Sequence, residues 1–229
     1  MGITQQIGAS SIIKPGVIDN TAARPASPYE GQVIFQKDTD QLLVWNGTAW
    51  VIPNSPAQNP GGLELVTVQS FTSASSASPV DVSNCFTSTY DNYRVLLTYT
   101  GTASEFMSFQ FRNSGGVVNS SFYRSQVTRS YGTTVDATSV YNSSAFGNFG
   151  YSYGTNSNYS TTSCDIVSPN LNTPTAATMN FYCDNAGSSV NFVMNGGFMY
   201  AVSGVMTGFR IFPTSGNITG SVSVYGYRK

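Results

Sequence analysis

Apolar residues in the C-terminal three quarters of the chain fall on alternate positions, in short runs separated by Gly, Asn and Ser. The alternation is clearest at 93–99, 107–111 and 179–183, where every second side chain is Tyr, Val, Leu, Met, Phe or Cys. Strict alternation predicts strands that bury one face, and no stretch repeats its apolar residues with the 3.6-residue period of a helix. The sequence therefore predicts an all-β fold.

Residues 63–229 are expected to form an antiparallel β-sandwich of the jelly-roll type. The predicted strands are 64–69, 93–100, 105–113, 121–129, 162–168, 176–184, 190–200, 206–213 and 219–227. Only 9% of all residues are charged, whereas an ordinary soluble domain has about 25%. Aromatic residues make up 13%, and such side chains pack well on strands, so the composition agrees with the alternation.

The N-terminal quarter divides into three segments. Residues 1–23 are a polar arm that is too short to build a core. Residues 24–52 predict a small β-hairpin or meander module of three strands, with Asn46-Gly47 as a hairpin turn because both residues tolerate positive φ. Residues 53–62 hold three prolines and two glycines, which predicts a linker to the head domain at 63–229.

Several classes of function conflict with the composition. The sequence contains no histidine, which excludes a Ser-His-Asp triad, a Cys-His pair and a histidine-ligated metal site. No apolar run reaches the roughly 18 residues of a membrane span, and the start of the chain lacks the pattern of a secretory signal. The net charge is −1 without a basic block, which argues against nucleic-acid binding. We expect no cofactor, metal ion, nucleic-acid partner or membrane insertion.

The three cysteines, Cys85, Cys164 and Cys183, each lie in or beside an apolar stretch. Their odd number and the absence of CxxC spacing do not fit a disulfide framework or a zinc site. We expect buried free thiols in a chain made in a reducing cytoplasm. A single bridge between Cys164 and Cys183 is the alternative.

Two strings carry a family resemblance. RPASPYEGQVIF at 24–35, continued by DTD at 38–40 and VWNGTAWV at 44–51, resembles a module common in tail fibres, tail spikes and minor virion proteins of tailed bacteriophages. NITGSVSVYGYRK at 217–229 is similar to the last strand of such fibre heads. The resemblance implies a virion protein, often a homotrimer, with an N-terminal attachment part and a C-terminal β domain that faces the host. It implies no catalytic residue.

The expected attachment part is residues 1–62, which would contact other virion proteins and support oligomerisation. Its proposed contact residues are Ile12, Ile13, Tyr29, Phe35, Trp45 and Trp50. The two tryptophans flank the Asn46-Gly47 turn. This position fits a cross-hairpin pair that stabilises the module, or an exposed docking patch.

The segment 131–163 is the most biased part of the sequence. It places Tyr131, Tyr141, Tyr151, Tyr153 and Tyr159 among Ser, Gly and Asn. Antibody binding loops use the same mixture of rigid amphipathic rings and adaptable polar neighbours. The five tyrosines are therefore predicted to contact a host receptor or glycan. The alternative is that they cover the sandwich or a seam between subunits.

Six arginines lie in the main domain and have two interpretations. They are Arg94, Arg112, Arg124, Arg129, Arg210 and Arg228. Arginine forms forked pairs with carboxylates, so pairing between strands or subunits is one interpretation, and contact with an anionic surface sugar is the other.

The leading functional hypothesis is a phage virion protein of the tail-fibre or receptor-binding type that is not an enzyme. The first alternative is a head-decoration or head-fibre protein that stabilises the capsid. The second is a tail spike that cleaves polysaccharide, which needs paired carboxylates. Acidic residues of the main domain never lie within two positions of each other, although distant strands can still bring carboxylates together.

Overall fold

Strands make up almost all the regular structure of the chain. The computed structural model describes residues 15–53, 62–154, 159–184 and 191–228, which contain one 3-10 turn and no α-helix. The strands are β1 Gly16–Ile18, β2 Val33–Gln36, β3 Gln41–Trp45, β4 Trp50–Val51, β5 Leu63–Ala74, β6 Val80–Val82, β7 Asn92–Gly101, β8 Glu105–Asn113, β9 Gly116–Val117, β10 Tyr123–Tyr131, β11 Thr134–Ser143, β12 Phe146–Ser152, β13 Ser160–Val167, β14 Thr173–Cys183, β15 Phe192–Gly204, β16 Gly208–Pro213 and β17 Ile218–Tyr227. The prediction of an all-β fold is confirmed.

The chain divides into two compact units, Met1–Asn59 and Pro60–Lys229. The boundary between them falls within the predicted linker at 53–62, of which residues 54–61 lie outside the described part of the chain. The predicted head domain at 63–229 lies in the second unit.

A four-stranded mixed sheet in the order β1-β2-β3-β4 builds the N-terminal unit. Strands β2, β3 and β4 form the antiparallel meander that the sequence predicts. Strand β1 adds to it in parallel, with Gly16 opposite Ile34, so the arm contributes one strand more than predicted. Ile34 and Leu43 are the buried apolar residues of this unit within its described range.

Gln36, at the end of β2, is buried and ties the arm to the sheet. Its amide oxygen accepts a hydrogen bond from Arg24 Nε at 2.8 Å. Its amide nitrogen donates to Thr21 Oγ1 at 3.1 Å and to Asp38 Oδ1 at 2.7 Å. Strand β1 has only three residues and begins at Gly16, which is too short to show a periodicity in the sequence.

Two antiparallel sheets form the C-terminal unit. The larger has eight strands in the order β11-β10-β15-β14-β13-β7-β17-β5, and the smaller has β12-β8-β16-β6 with β9 paired to β8. The chain passes repeatedly between the sheets, and the core lies between them. Phe109 is fully buried there, and its ring centroid lies 4.9 Å from Phe149, 5.1 Å from Phe198 and 5.3 Å from Phe209.

The nine strands predicted for this unit all exist, and β6, β9, β11 and β12 are additional. Strand β11 is exposed along nearly its whole length, so its sequence shows no alternation of buried and exposed side chains. Strand β12 has two glycines in seven residues. Both strands lie at sheet edges, where one side of the backbone needs no strand partner and the sequence signal is weak.

All three cysteines are buried free thiols. In the β13–β14 ladder Cys164 lies opposite Met179, whereas Cys183 lies opposite Ser160. The two thiols are therefore four positions apart along the ladder, roughly 13 Å, and a disulfide needs Cα atoms within about 7 Å. The alternative of a Cys164–Cys183 bridge is wrong for this fold.

Candidate functional site

An aromatic cleft opens between the two sheets of the C-terminal unit, where the β10–β11 hairpin turns. Its volume is about 330 Å³, within the range of small-molecule sites. The lining residues are Phe106 on β8, Arg129 and Tyr131 on β10, Thr134 and Asp136 on β11, Tyr151 on β12, Tyr153 just after β12, and Phe192 on β15. Three of the five tyrosines predicted from 131–163 thus line one cleft.

Tyr151 lies at the centre of the ring contacts in the aromatic cleft. Its ring centroid is 5.0 Å from those of Phe106, Tyr153 and Phe192, each in an edge-to-face arrangement. Tyr131 lies further out, 6.1 Å from the Phe192 ring, and is 49% exposed. Edge-to-face pairs stabilise beyond their buried area. The cleft therefore has a rigid aromatic floor and one ring with a large solvent-accessible surface.

Arg129 and Asp136 form the polar wall of the cleft. The Arg129 Nε–H donates to Asp136 Oδ1 at 2.9 Å, and Nη2 donates to Oδ2 at 2.7 Å. These hydrogen bonds hold the pKa of Asp136 below its ordinary value and raise that of Arg129. The guanidinium carbon also lies 5.8 Å from the Phe106 ring centroid. The wall offers polar atoms without a net charge.

The two inner phenols of the cleft, Tyr151 and Tyr153, have pKa values above the ordinary value of tyrosine. Burial raises the pKa of Tyr153 to about 12, and burial also raises the pKa of Tyr151. The Tyr153 hydroxyl is out of contact with solvent and has no hydrogen-bond partner among the described residues. This hydroxyl is therefore an unpaired buried polar group, which costs stability.

The strand register explains why these side chains meet. Tyr131 lies opposite Thr134, and Arg129 lies opposite Asp136, so alternate residues of the hairpin point to the same face. The chain reverses at Gly132, whose φ of 58° is a conformation that glycine adopts without steric cost.

The other two predicted tyrosines lie elsewhere. Tyr141, on β11, is 69% exposed and stacks on the Arg124 guanidinium, 4.4 Å from the carbon atom to the ring centroid. Tyr159, just before β13, is 66% exposed and does not line the aromatic cleft.

The described attachment residues belong to the N-terminal unit. Trp45 and Trp50 lie directly opposite each other on β3 and β4, with ring centroids 5.6 Å apart in a T-shaped pair. Tyr29 is exposed and Phe35 is half-buried on β2. Residues 12–13 lie outside the described residues. The cross-hairpin pairing of the tryptophans is thus present, while the attachment role stays a prediction.

Five of the six main-domain arginines pair with carboxylates of the same unit. The pairs are Arg94–Asp165, Arg112–Asp81, Arg129–Asp136, Arg210–Asp81 and Arg228–Glu64, at 2.7 to 3.2 Å between nitrogen and oxygen. Pairing between strands therefore accounts for most of the arginines. Arg124 has no such partner among the described residues.

Sequence reasoning did not identify Phe106, Thr134, Asp136 or Phe192 as site residues. Asp136 carries the clearest available signal, because it is the acid nearest in sequence to the arginine two positions before Tyr131. Thr134 and Phe192 lie opposite Tyr131 in the two neighbouring strands of the large sheet, whereas Phe106 comes from the smaller sheet and its proximity depends on the packing of the two sheets.

The lining residues of the cleft are of the types that hold a small ligand, namely aromatic rings and a few polar groups. Asp136 is the one carboxylate among its described lining residues, and Arg129 occupies both of its oxygens. Within the described ranges no group of three Cys, Asp or Glu side chains is arranged as a metal site, and no helix there is long and apolar enough to cross a membrane.

Comparison of the sequence with protein-family models gives no match, and comparison with curated proteins gives no significant match.

Proposed function

We propose that this chain is a structural protein of a tailed-bacteriophage particle, of the tail-fibre or receptor-binding type. Its C-terminal unit contacts the host surface by taking a sugar ring into the aromatic cleft. The observation that carries the binding part is the convergence of Tyr131, Tyr151 and Tyr153 with the Arg129–Asp136 pair. The resemblance of 24–51 and 217–229 to virion modules supports the location in the particle.

A neutral sugar fits the composition of the cleft. One face of a pyranose ring is lined by C–H groups that pack on aromatic side chains, while its rim carries hydroxyls. The exposed Tyr131 ring supplies the apolar surface. The neutral Arg129–Asp136 pair supplies polar atoms at the edge. Tyrosine provides this contact at a low cost in side-chain entropy, because it has only two χ angles to fix.

The N-terminal part is proposed to attach the chain to the particle and to support a homotrimer. Both features come from the resemblance to virion proteins. An N-terminal sheet with Tyr29 exposed and the arm bound through the Gln36–Thr21 hydrogen bond is compatible with a docking module. Sedimentation of the full chain tests the oligomeric state, and a monomer at micromolar concentration would contradict the trimer.

The binding proposal is tested with a pair of matched tyrosine variants. Labelled full-length chain is incubated with cells of the host bacterium, and the bound fraction is measured by flow cytometry. We expect Tyr131→Ala to weaken binding about tenfold or more, since an aromatic contact contributes on the order of 1.5 kcal/mol. Tyr159→Ala removes an even more exposed ring, 66% against 49% for Tyr131, outside the cleft and should bind as the parent chain does. If the two variants bind host cells equally well, the aromatic cleft is not the binding site.

The position on the particle is tested by electron microscopy. Gold-labelled antibody to 63–229 should decorate the tail or its fibres. Gold spread over the head would overturn the tail-fibre assignment in favour of capsid decoration, and the tyrosines of the cleft would then be packing residues.

A further inference from the structure

The Nε–H of Arg124 is unsatisfied, whereas the other five arginines in the described part of the C-terminal unit pair with carboxylates. Three of the paired arginines, Arg94, Arg129 and Arg210, present the same edge to an aspartate, with Nε and Nη2 each at 2.7 to 2.9 Å from a carboxylate oxygen. In Arg124 the Nε–H is out of contact with solvent and has no acceptor among the described residues. An unpaired buried donor is costly, so an acceptor that reached the Arg124 Nε–H would gain a favourable hydrogen bond.

A β-bulge places Tyr141 against this arginine. The β10–β11 register shifts between Tyr123 and Ser125, and Asn142 adopts a φ of 60° on the bulged strand. Bulges re-aim side chains at sheet edges and beside functional sites. Here the Tyr141 ring covers one face of the Arg124 guanidinium. The opposite face of the Tyr141 ring is open to solvent, since this side chain is 69% exposed.

Arg124 and Tyr141 line a groove on the outer face of the large sheet, opposite the face that carries the aromatic cleft. This surface, the Arg124 groove, has a volume of about 550 Å³. The other polar side chains on this face are those of Gln126 and Ser139, which lie opposite each other in the β10–β11 ladder. Hydroxyl and amide groups beside an exposed aromatic ring suit a polyhydroxylated ligand, and the unsatisfied Nε–H of a cationic guanidinium favours an anionic acceptor.

We propose that the Arg124 groove binds the carboxylate of an acidic sugar, a uronate. The Arg124 guanidinium receives the carboxylate with the Nε and Nη2 edge, as its three paired counterparts do. Because Tyr141 is exposed on an edge strand, its ring turns aside without displacing core residues and then lies along the sugar. The inference deepens the proposed host-surface contact and rests on it for its biological meaning, while the binding itself is measurable on the isolated chain.

The probe is trigalacturonate, and its fully methyl-esterified form serves as the neutral comparison. The full chain is titrated with each, and the Nε–H resonances of the arginines are followed by NMR. We expect one arginine Nε–H signal to shift with trigalacturonate, the signal that Arg124→Gln removes, and none to shift with the ester. Arg124→Gln should weaken binding by about 10-fold to 100-fold, the range for a charge-assisted hydrogen bond.

Arg228→Gln is the matched control, because it removes one positive charge from the same unit at a site remote in sequence and already paired with Glu64. It should bind trigalacturonate as the parent chain does. Equal weakening by both variants would reduce the effect to net charge and overturn the proposal. An equal shift of the same signal with inorganic phosphate at the same concentration would overturn its sugar specificity.

The two proposals fail in different measurements. If the chain adheres to host cells but Arg124→Gln binds trigalacturonate normally, the groove proposal is wrong and the host-contact function stands. If trigalacturonate binds through Arg124 but the chain does not adhere to host cells, the groove is a uronate site and the proposed function is wrong.

Discussion

Arg129 and Asp136 lie opposite each other in the β10–β11 ladder, and their side chains meet edge to edge through two hydrogen bonds of 2.9 and 2.7 Å. Since the same guanidinium lies over Phe106, the pair links the hairpin to the ring cluster of the smaller sheet. It therefore fixes the polar wall of the aromatic cleft relative to its floor.

Replacing Asp136 with Asn should impair cell binding more than folding. The pair is partly exposed, and exposed ion pairs contribute little to stability, so the melting temperature should change by only a few degrees. Without the forked partner Arg129 loses its fixed position, and we expect adhesion to fall severalfold in the flow-cytometry assay. Undiminished adhesion would contradict a role for this wall.

Acid should destabilise the C-terminal unit partly through Asp81. Hydrogen bonding from Arg210 lowers the pKa of Asp81 from its ordinary value of 3.8, and the charge of Arg112 acts in the same direction. A carboxylate with a lowered folded-state pKa stabilises the fold fully above its unfolded-state pKa. That stabilisation is lost as the pH falls from about 4 through the folded-state pKa.

Asp81→Asn tests this dependence. It should cost about 1–3 kcal/mol of unfolding free energy at pH 7, as expected for lost hydrogen bonds to charged groups. The difference from the parent chain should shrink as the pH falls below about 4. Urea denaturation at pH 7, 5 and 3 measures it, and a difference that stayed constant across this range would contradict the assignment.

Much of the fold could be predicted from local pattern, because buried strands alternate. Cys164 and Met179, for example, lie opposite each other in predicted strands and both are buried. The edge strand β11 could not be predicted in this way, because it pairs only with β10 and buries none of its side chains fully.

The candidate site was predictable only in part. The Tyr-rich composition indicated 131–163, but it did not distinguish Tyr131 and Tyr151 in the cleft from Tyr141 on the opposite sheet face. That distinction depends on a bulge and on the packing of β12 against β8. Neither leaves a periodic signal in the sequence, because each is set by residues distant along the chain.

Gly220 should not tolerate even a methyl group. It lies on β17, between β7 and β5, and a Cβ there would clash with the Thr98 carbonyl oxygen and the Cα atom of Tyr99. We expect Gly220→Ala to lower the unfolding free energy by about 1–3 kcal/mol, the usual cost of overpacking. Gly147→Ala is the control, because nothing lies within 4 Å of its added Cβ. Urea denaturation of both variants tests the contrast, and equal stability would contradict it.

The three thiols should be unreactive in the folded chain. Burial raises the pKa of Cys85 to about 12 and also raises those of Cys164 and Cys183, and only a thiolate attacks a disulfide reagent rapidly. At pH 8 we expect no more than slow labelling by Ellman's reagent. In denaturant all three should react without added reductant. Fewer than three thiols in denatured chain would contradict the free-thiol assignment.

The tryptophan pair offers a way to observe the N-terminal unit by itself. Both tryptophans of the chain lie there, and Trp45 packs edge to face on Trp50. Tryptophan fluorescence should therefore follow the unfolding of the small sheet, while far-UV circular dichroism is dominated by the larger unit. Trp50→Ala should lower the unfolding free energy measured by fluorescence by about 1–3 kcal/mol, because a ring contact and buried area are lost. The transition measured by circular dichroism should stay unchanged. Trp50→Phe, which keeps a ring, should recover part of this loss. A common shift of both transitions would mean that the two units unfold as one.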